Sequence, residues 1–294
     1  LLFSRTGNDE VKFGATFKGP RTQVRKTVGL RPNALLLSAA AAAGIECVQP
    51  VFSFFQNDVA YCVANAFEQE QPILLDQFKN KTPFSKHLTS LIKYAGFGIS
   101  DVKSVPANIP SDIWHQFKEQ MKTQIGADEG KLEEAFNIKN ATQLQFTHTG
   151  EDSSSAGFGL DNESRGTVAA LSFFSLALRQ LSRPTVTLID EIDTSLHPAL
   201  VSELVALYTD PATNPHGSQL IFTTHDVSLI NHSGSSNRLL QPDQIWLVEK
   251  DKDGASELFP VTELGIRKEE NIGKNYLNGV YGATPNPSFH TVFA

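Results

Sequence analysis

The pattern of apolar and polar positions is clearest between 186 and 225. Residues 186–189 are a short apolar run rich in β-branched side chains, with Pro184 before it and acids after it. Such a run predicts a buried strand of a largely parallel sheet. A second strand is expected at 219–225, ending in Thr223-Thr224-His225. Between the two, 198–208 has helical character and 210–218 is rich in turn residues. Strand, helix and strand in that order predict a parallel crossover, which sets His225 at the same sheet edge as Asp190 and Glu191. Upstream, the Gly/Ser-rich stretch 150–159 reads as a loop, Ser164 as an N-cap and 168–181 as an apolar helix.

Elsewhere the pattern is weaker but still divides the chain. Residues 1–33 alternate around Gly, Asn and Pro, and 11–17 and 22–28 read as edge-like antiparallel strands. A strand is expected at 34–37, the start of a helix at 39–43, and a core segment at 51–55 with Phe52, Phe54 and Phe55. From 66 to 140 the period turns helical, and 84–95 spaces Leu88, Leu91, Ile92 and Ala95 close to 3.6 residues. After the Gly-rich break at 96–98, residues 99–105 read as extended, and Ser111 as the cap of a helix through Trp114, Phe117 and Met121. Residues 143–146 make another strand, and 244–249 pairs with 257–261 across Asp251-Lys-Asp-Gly254, a favoured hairpin turn. No core pattern is visible at the very end of the Gly-, Asn- and Pro-rich stretch 262–294.

Composition sets bounds on the class. With 40% hydrophobic and 19% charged residues over 294 positions, an ordinary soluble globular protein of one large or two modest domains is expected. Net charge is −7, from 25 basic and 32 acidic residues, so no global cationic surface announces nucleic-acid binding. Arg21, Arg25, Lys26 and Arg31 are the densest local patch and read as a solvated strand face. Cys47 and Cys62 have neither disulfide-scaffold nor metal spacing and are expected in or near the core. The longest apolar run, 34–44, is too short to span a bilayer, and no leader pattern is present, so a cytoplasmic protein without membrane contact is expected. The chain opens at Leu1 and its one methionine is Met121, which predicts that it is part of a longer chain.

Candidate chemistry gathers at the ends of the apolar runs. Asp190 could hold Mg²⁺ and Glu191 could orient or deprotonate an attacking water, as phosphate hydrolysis requires. Ser164 and Gly166 offer the exposed N–H groups of a helix N-terminus to a phosphate. Singly, these features have plain readings as a strand exit, a helix cap and, for His225, a surface histidine; their order along the chain is what points to nucleotide chemistry. A phosphate-cradling loop is missing from this set. Residues 126–132 are one residue short of Gly-x-x-x-x-Gly-Lys-Ser/Thr, put Leu132 where the hydroxyl belongs and follow no apolar strand, and Lys274 fails as well.

Three motifs, Glu163-Ser-Arg-Gly-Thr167, Asp190-Glu-Ile-Asp-Thr-Ser-Leu-His-Pro198 and Thr223-Thr-His-Asp226, carry a family resemblance. So do Asp243-Gln-Ile-Trp-Leu-Val-Glu-Lys250 and Tyr276-Leu-Asn-Gly-Val-Tyr-Gly-Ala-Thr-Pro285. The chain resembles ATPases with an ABC-type or SMC-like head, and within them AAA-annotated bacterial ATPases of abortive-infection and phage-defence systems, relatives of OLD and RloC-like proteins. The resemblance is strong over about 140–287 and weaker before it. Transporter heads would have Leu-Ser-Gly-Gly-Gln at the signature and Asp where His197 stands, so the pattern is not theirs.

The resemblance implies an α/β P-loop NTPase of ABC-ATPase type, with an antiparallel β region, a helical insertion lobe and the Walker A portion upstream of Leu1. Residues 1–65 would be the rest of a first, β-rich lobe, 66–140 the helical lobe, and 141–294 a second lobe with signature, Walker B strand, D-loop and switch histidine. ATP and Mg²⁺ would be bound, with Asp190 on the metal, Glu191 on the water and His225 on the γ-phosphate. Ser164 and Gly166 would meet the nucleotide of the opposite subunit in a head-to-tail homodimer, and Asp193, Ser195 and His197 would line the D-loop between the two. The glutamine of such heads has no counterpart at Ser38 and the alanines beside it. Two other readings stay open: an ATP-gated sensor or clamp that controls an effector subunit with little turnover, and a metal-dependent nuclease using Glu249, Asp251 and Asp253.

Overall fold

The computed structural model of the chain describes residues 3–5, 11–28, 34–63, 67–107, 112, 115–116, 119–120, 123, 141–150, 154–231, 238–267, 270–285 and 289–293. Strands β1 (Phe3–Ser4) and β2 (Lys12–Phe13) pair antiparallel and are followed by helices α1 (Arg21–Val28), α2 (Leu36–Ala42) and α3 (Gln49–Asn57). Then come β3 (Val59–Val63), α4 (Phe67–Lys79), α5 (Pro83–Tyr94), β4 (Ile99–Pro106), β5 (Thr142–Thr149) and β6 (Ser155–Gly159). The site-bearing part runs α6 (Arg165–Gln180), β7 (Val186–Asp190), α7 (Pro198–Thr209) and β8 (Gln219–Phe222). Hairpin β9 (Trp246–Lys250) and β10 (Ser256–Pro260) and helix α8 (Ile272–Leu277) complete it. No helix among the described residues is long and apolar enough to cross a membrane.

β7 is the centre of a parallel sheet ordered β3-β7-β8. The expected crossover is there: α7 joins β7 to β8, and 210–218 forms the turns between them. One face of this sheet, with Cys62, Thr187 and Ile189 buried, packs on helices, and the Tyr208 hydroxyl of α7 meets Thr187 Oγ1 at 3.1 Å. The opposite face is open. Its central row, Tyr61, Leu188 and Ile221, lies in register across the three strands, with Tyr61 64% and Ile221 57% exposed.

α6 is buried on nearly every side because Ala169 to Ala177 is almost wholly small or apolar, the signature of a central helix. It packs on α4, α5 and α7, and these helices carry the antiparallel sheet β4-β5-β6 through Ile99, Val102, Leu144 and Phe146. Helices from 67–94 therefore share one core with Ile189 of β7. Within it Glu70 is 7% exposed, accepts from Ser175 Oγ at 2.8 Å and pairs with Arg179, which ties α4 to α6.

Several expectations give way. Residues 22–28 are helix rather than strand; Val24 and Val28 are four apart, a helical spacing, and Val24 is buried. The strand expected at 34–37 is taken into α2, because the alanines that follow favour helix strongly enough to extend it back to Leu36. Thus the described part of 1–65 holds more helix than strand. Residues 51–55 are not core: α3 buries none of its residues, and Phe54 and Phe55 are 42% and 58% exposed. Consecutive apolar residues point around a helix, so only Phe52 packs on the neighbouring cluster. The 150–159 loop closes instead as a β5–β6 hairpin. Within 262–294 Ile272 and Tyr281 pack with Ile245, Leu247 and Val261, while at the very end, where no core was expected, Phe289 and Phe293 are exposed. Cys62 is buried as expected, whereas Cys47 is exposed. Ser111, Trp114, Phe117, Met121 and 126–132 lie outside the described residues.

Candidate functional site

The predicted carboxylates sit at the C-terminal edge of the central parallel strand, the edge where open α/β sheets bind ligands. Asp190 shares the parity of Val186 and Leu188, so it belongs to the open face. Here β7 and the segment after β8 are laced together. The Thr223 hydroxyl donates to Asp190 Oδ1 at 2.6 Å and accepts from the Glu191 N–H at 2.8 Å. Thr223 N–H donates to Ile189 O at 3.0 Å and Ile192 N–H to Thr223 O at 3.1 Å. One threonine thus sets both acidic residues.

The loop after β7 alternates anchors and exposed groups. Ile192 and Leu196 are buried at 0% and 7% exposure, while Glu191 and Ser195 face solvent. Both exposed residues have left-handed backbones, Glu191 at φ 52° and Ser195 at φ 67°. For a non-glycine residue this costs on the order of 1–3 kcal/mol and persists only where surroundings enforce it. Thr194 supports Glu191 from within the turn, its hydroxyl donating to Glu191 Oε2 at 3.2 Å. Asp193 Oδ1 accepts from Thr224 Oγ1 at 2.7 Å and from the His225 N–H at 3.2 Å, which fixes where His225 leaves the sheet. Asp190, Glu191, Asp193 and His225 therefore share one rim.

His197 and Ser164 both cap helices. His197 Nδ1 accepts from the Ala199 N–H at 3.2 Å at the start of α7, so a neutral ring there carries its proton on Nε2. Ser164 Oγ accepts from the Thr167 N–H at 3.0 Å at the start of α6, as predicted. Gly166, the second residue of that helix, lies so close to the loop that an added Cβ would stand 2.9 Å from Ser195 O. The start of α6 and the loop after β7 are thus in contact within one chain. Among the described residues no hydrogen bond joins Ser164 or Gly166 to Asp190, Glu191 or His225.

The sequence reading gave no role of its own to Thr223, although the paired hydroxyls before His225 were a visible signal, and placed Thr194 in the D-loop without its bond to Glu191. It also missed His148, whose Nε2 lies 2.8 Å from Glu163 Oε1 beside the Ser164 cap; no spacing announces that pair. The strand beside Asp190 is β3, aligned Val63 to Asp190, rather than one at 34–37, so Ser38 is not at this edge; 64–66 lie outside the described residues. At the β9–β10 turn, Asp251 Oδ1 is engaged by the N–H groups of Asp253 and Ala255, at 2.9 and 2.8 Å. That is hairpin chemistry, and the described residues include no cluster of three or more His, Cys, Asp or Glu fit for a metal.

The donor set at Asp190 suits Mg²⁺, which takes one or two carboxylates and completes its shell with phosphate and water instead of an all-protein cage. Residues 72–231, more than half of the chain's 294, match the family described as AAA domain, putative AbiEii toxin, Type IV TA system. No curated protein matches the chain.

Proposed function

Since the chain belongs to this family of AAA domains, we propose that it binds and hydrolyses ATP at the β7–β8 edge as the nucleotide-driven part of an abortive-infection system. The reading rests on one observation: Glu191 is held in a left-handed backbone beside Asp190, both set by the Thr223 hydroxyl at the end of the central parallel strand. Strain at such a position is a pointer to function.

In this reading Asp190 is the residue that holds Mg²⁺, which when bound would offset phosphate charge. Glu191 orients and deprotonates the attacking water, and Thr194 limits where its carboxylate can swing. His225, placed through Asp193, reaches the γ-phosphate. Catalysis is positioning and charge stabilisation, as expected for phosphoryl transfer. The helix start at Ser164 and Gly166 serves the nucleotide of a second copy, in an ABC-type homodimer closed around ATP. Its missing bonds to Asp190 and Glu191 within one chain accord with that role. Asp193, Ser195 and His197 then lie at the seam, where closure could gate an effector subunit. A triphosphate also needs a cradle of N–H groups and a lysine. The sequence has no such loop, and the open sheet face beside Asp190 is where a helix following one would pack.

Phosphate release by the full protein tests the reading. Glu191→Gln should lower turnover about 10²–10⁴-fold, the range for a lost general base, while ATP retention survives. Turnover at the parent rate would overturn the assignment of Glu191. Retention of ATP with almost no turnover by the parent itself would favour the sensor or clamp.

A further inference from the structure

The basic residues of this acidic protein are concentrated where the first helix packs on the β1–β2 pair. Positions 1–50 hold seven basic and three acidic residues, a net of +4, in a chain whose net charge is −7. Lys12, Lys18, Arg21, Arg25 and Lys26 are all exposed. Lys12, Lys18, Arg21 and Lys26 make no ion pair among the described residues. The patch has an aromatic floor: Phe13 packs on Phe17 with ring centroids 4.6 Å apart, and the guanidiniums of Arg21 and Arg25 lie 5.9 and 5.5 Å from the Phe13 centroid. A stacked guanidinium is held in orientation, and that of Arg21 keeps its N–H edge for a bidentate acceptor.

We propose that this face, formed by Lys12, Lys18, Arg21, Arg25 and Lys26, binds the phosphodiester backbone of a nucleic acid without reading its sequence. Phosphate contacts supply the affinity and carry no base information. The cations stand on a folded strand–helix unit cored by Val24, Phe17 and Ala40 and are therefore presented as a fixed array. An anionic membrane fits less well. A surface-bound helix inserts an exposed apolar face, whereas the one apolar side chain described in α1, Val24, is 1% exposed and faces the core. The proposal is independent of ATP turnover, since the patch shares no residue with the β7–β8 edge.

Fluorescence polarisation of a labelled duplex of about 20 base pairs, with a single strand of equal length beside it, tests this on the chain. Engaging about four phosphates predicts a slope of log K against log salt near −3.6, so going from about 50 to 200 mM salt should weaken duplex binding about 150-fold. The Lys12→Gln, Lys18→Gln, Arg21→Gln, Lys26→Gln variant should retain the parent's circular dichroism and lose at least about 100-fold at the lower salt. Lys18→Gln alone should reduce the slope by about 0.9. Absence of duplex and single-strand binding at low salt overturns the proposal, as does a folded quadruple variant that binds like the parent. Vesicles rich in phosphatidylserine that bind where nucleic acid does not would assign the patch to a membrane. Salt-sensitive self-association without nucleic-acid binding would assign it to an acidic face of a second copy. Either result overturns the proposal.

Discussion

Replacing Gly166 by alanine puts two opposing effects on one atom. Alanine in a helix interior is favoured over glycine by about 1 kcal/mol, and less so this close to the helix start. Against that, the new methyl would stand 2.9 Å from Ser195 O and 3.6 Å from Ser164 Oγ. The first contact is the costly one, because the obstructing atom is a backbone carbonyl that cannot rotate away. Ile192 and Leu196 are buried on either side of Ser195, and Ser195 is already left-handed at φ 67°. Overpacking of this kind costs roughly 1–3 kcal/mol. The balance is a net loss of about 1 kcal/mol, or about fivefold in the folding equilibrium. Urea unfolding measures it as a lower midpoint at unchanged slope. Ser195→Ala should not rescue Gly166→Ala, since the clash is with the carbonyl, whereas Ser195→Gly frees the loop and should recover part of the loss as a coupling energy. A neutral or stabilising Gly166→Ala would refute the contact between the α6 start and this loop.

Other consequences can be checked separately. Burial pushes the Cys62 thiol up to about 11, with Glu70 adding to the effect, whereas Cys47 is exposed. Ellman's reagent at pH 8 should therefore count one thiol in the native chain and two after unfolding; two fast thiols would refute the packing around β3. Tyr208→Phe leaves the 0%-exposed Thr187 hydroxyl without its partner and should cost about 1–2 kcal/mol in a denaturant midpoint. Glu270 is held below its ordinary 4.5 by the Arg267 N–H first, then by Tyr281 and Asn275. Because the folded value is the lower one, its stabilisation is present above about pH 4.5 and is lost as pH falls through the folded value. The midpoint difference between the parent and Glu270→Gln should accordingly shrink with acid between pH 6 and 3; a difference that grows with acid would contradict the sign.

The crossover from β7 through α7 to β8 was legible because its strands are buried on at least one side and its helix is long enough to show a period. The first 55 residues were not. There the apolar residues are spaced so that strand and helix fit equally well, and the alanines after Leu36 decided the outcome through propensity. At the site, sequence order placed Asp190, Glu191 and His225 on one edge, because a parallel crossover returns to the edge it left. It could not show that Thr223 holds the two acids together or that Asp193 holds His225. Those bonds depend on the register of β7 against β8, Ile189 opposite Phe222, which no local pattern encodes.

The open sheet face turns that register into a constraint on whatever covers it. Parallel sheets are stable with both faces covered, yet Tyr61 and Ile221 flank Leu188 in the open. A crossover helix laid on that row would run antiparallel to the strands, because the chain must return to the far edge before the next parallel strand, and its N-terminus would arrive at the edge that carries Asp190. A helix laid the other way would bring its negative, carbonyl end against Asp190, Glu191 and Asp193, and the repulsion would work against it. Topology and charge therefore favour the same orientation. A helix N-terminus beside a carboxylate that can hold a divalent cation is an arrangement for a phosphate chain. The sheet face and the acids at its rim thus favour the same orientation for a helix laid across them.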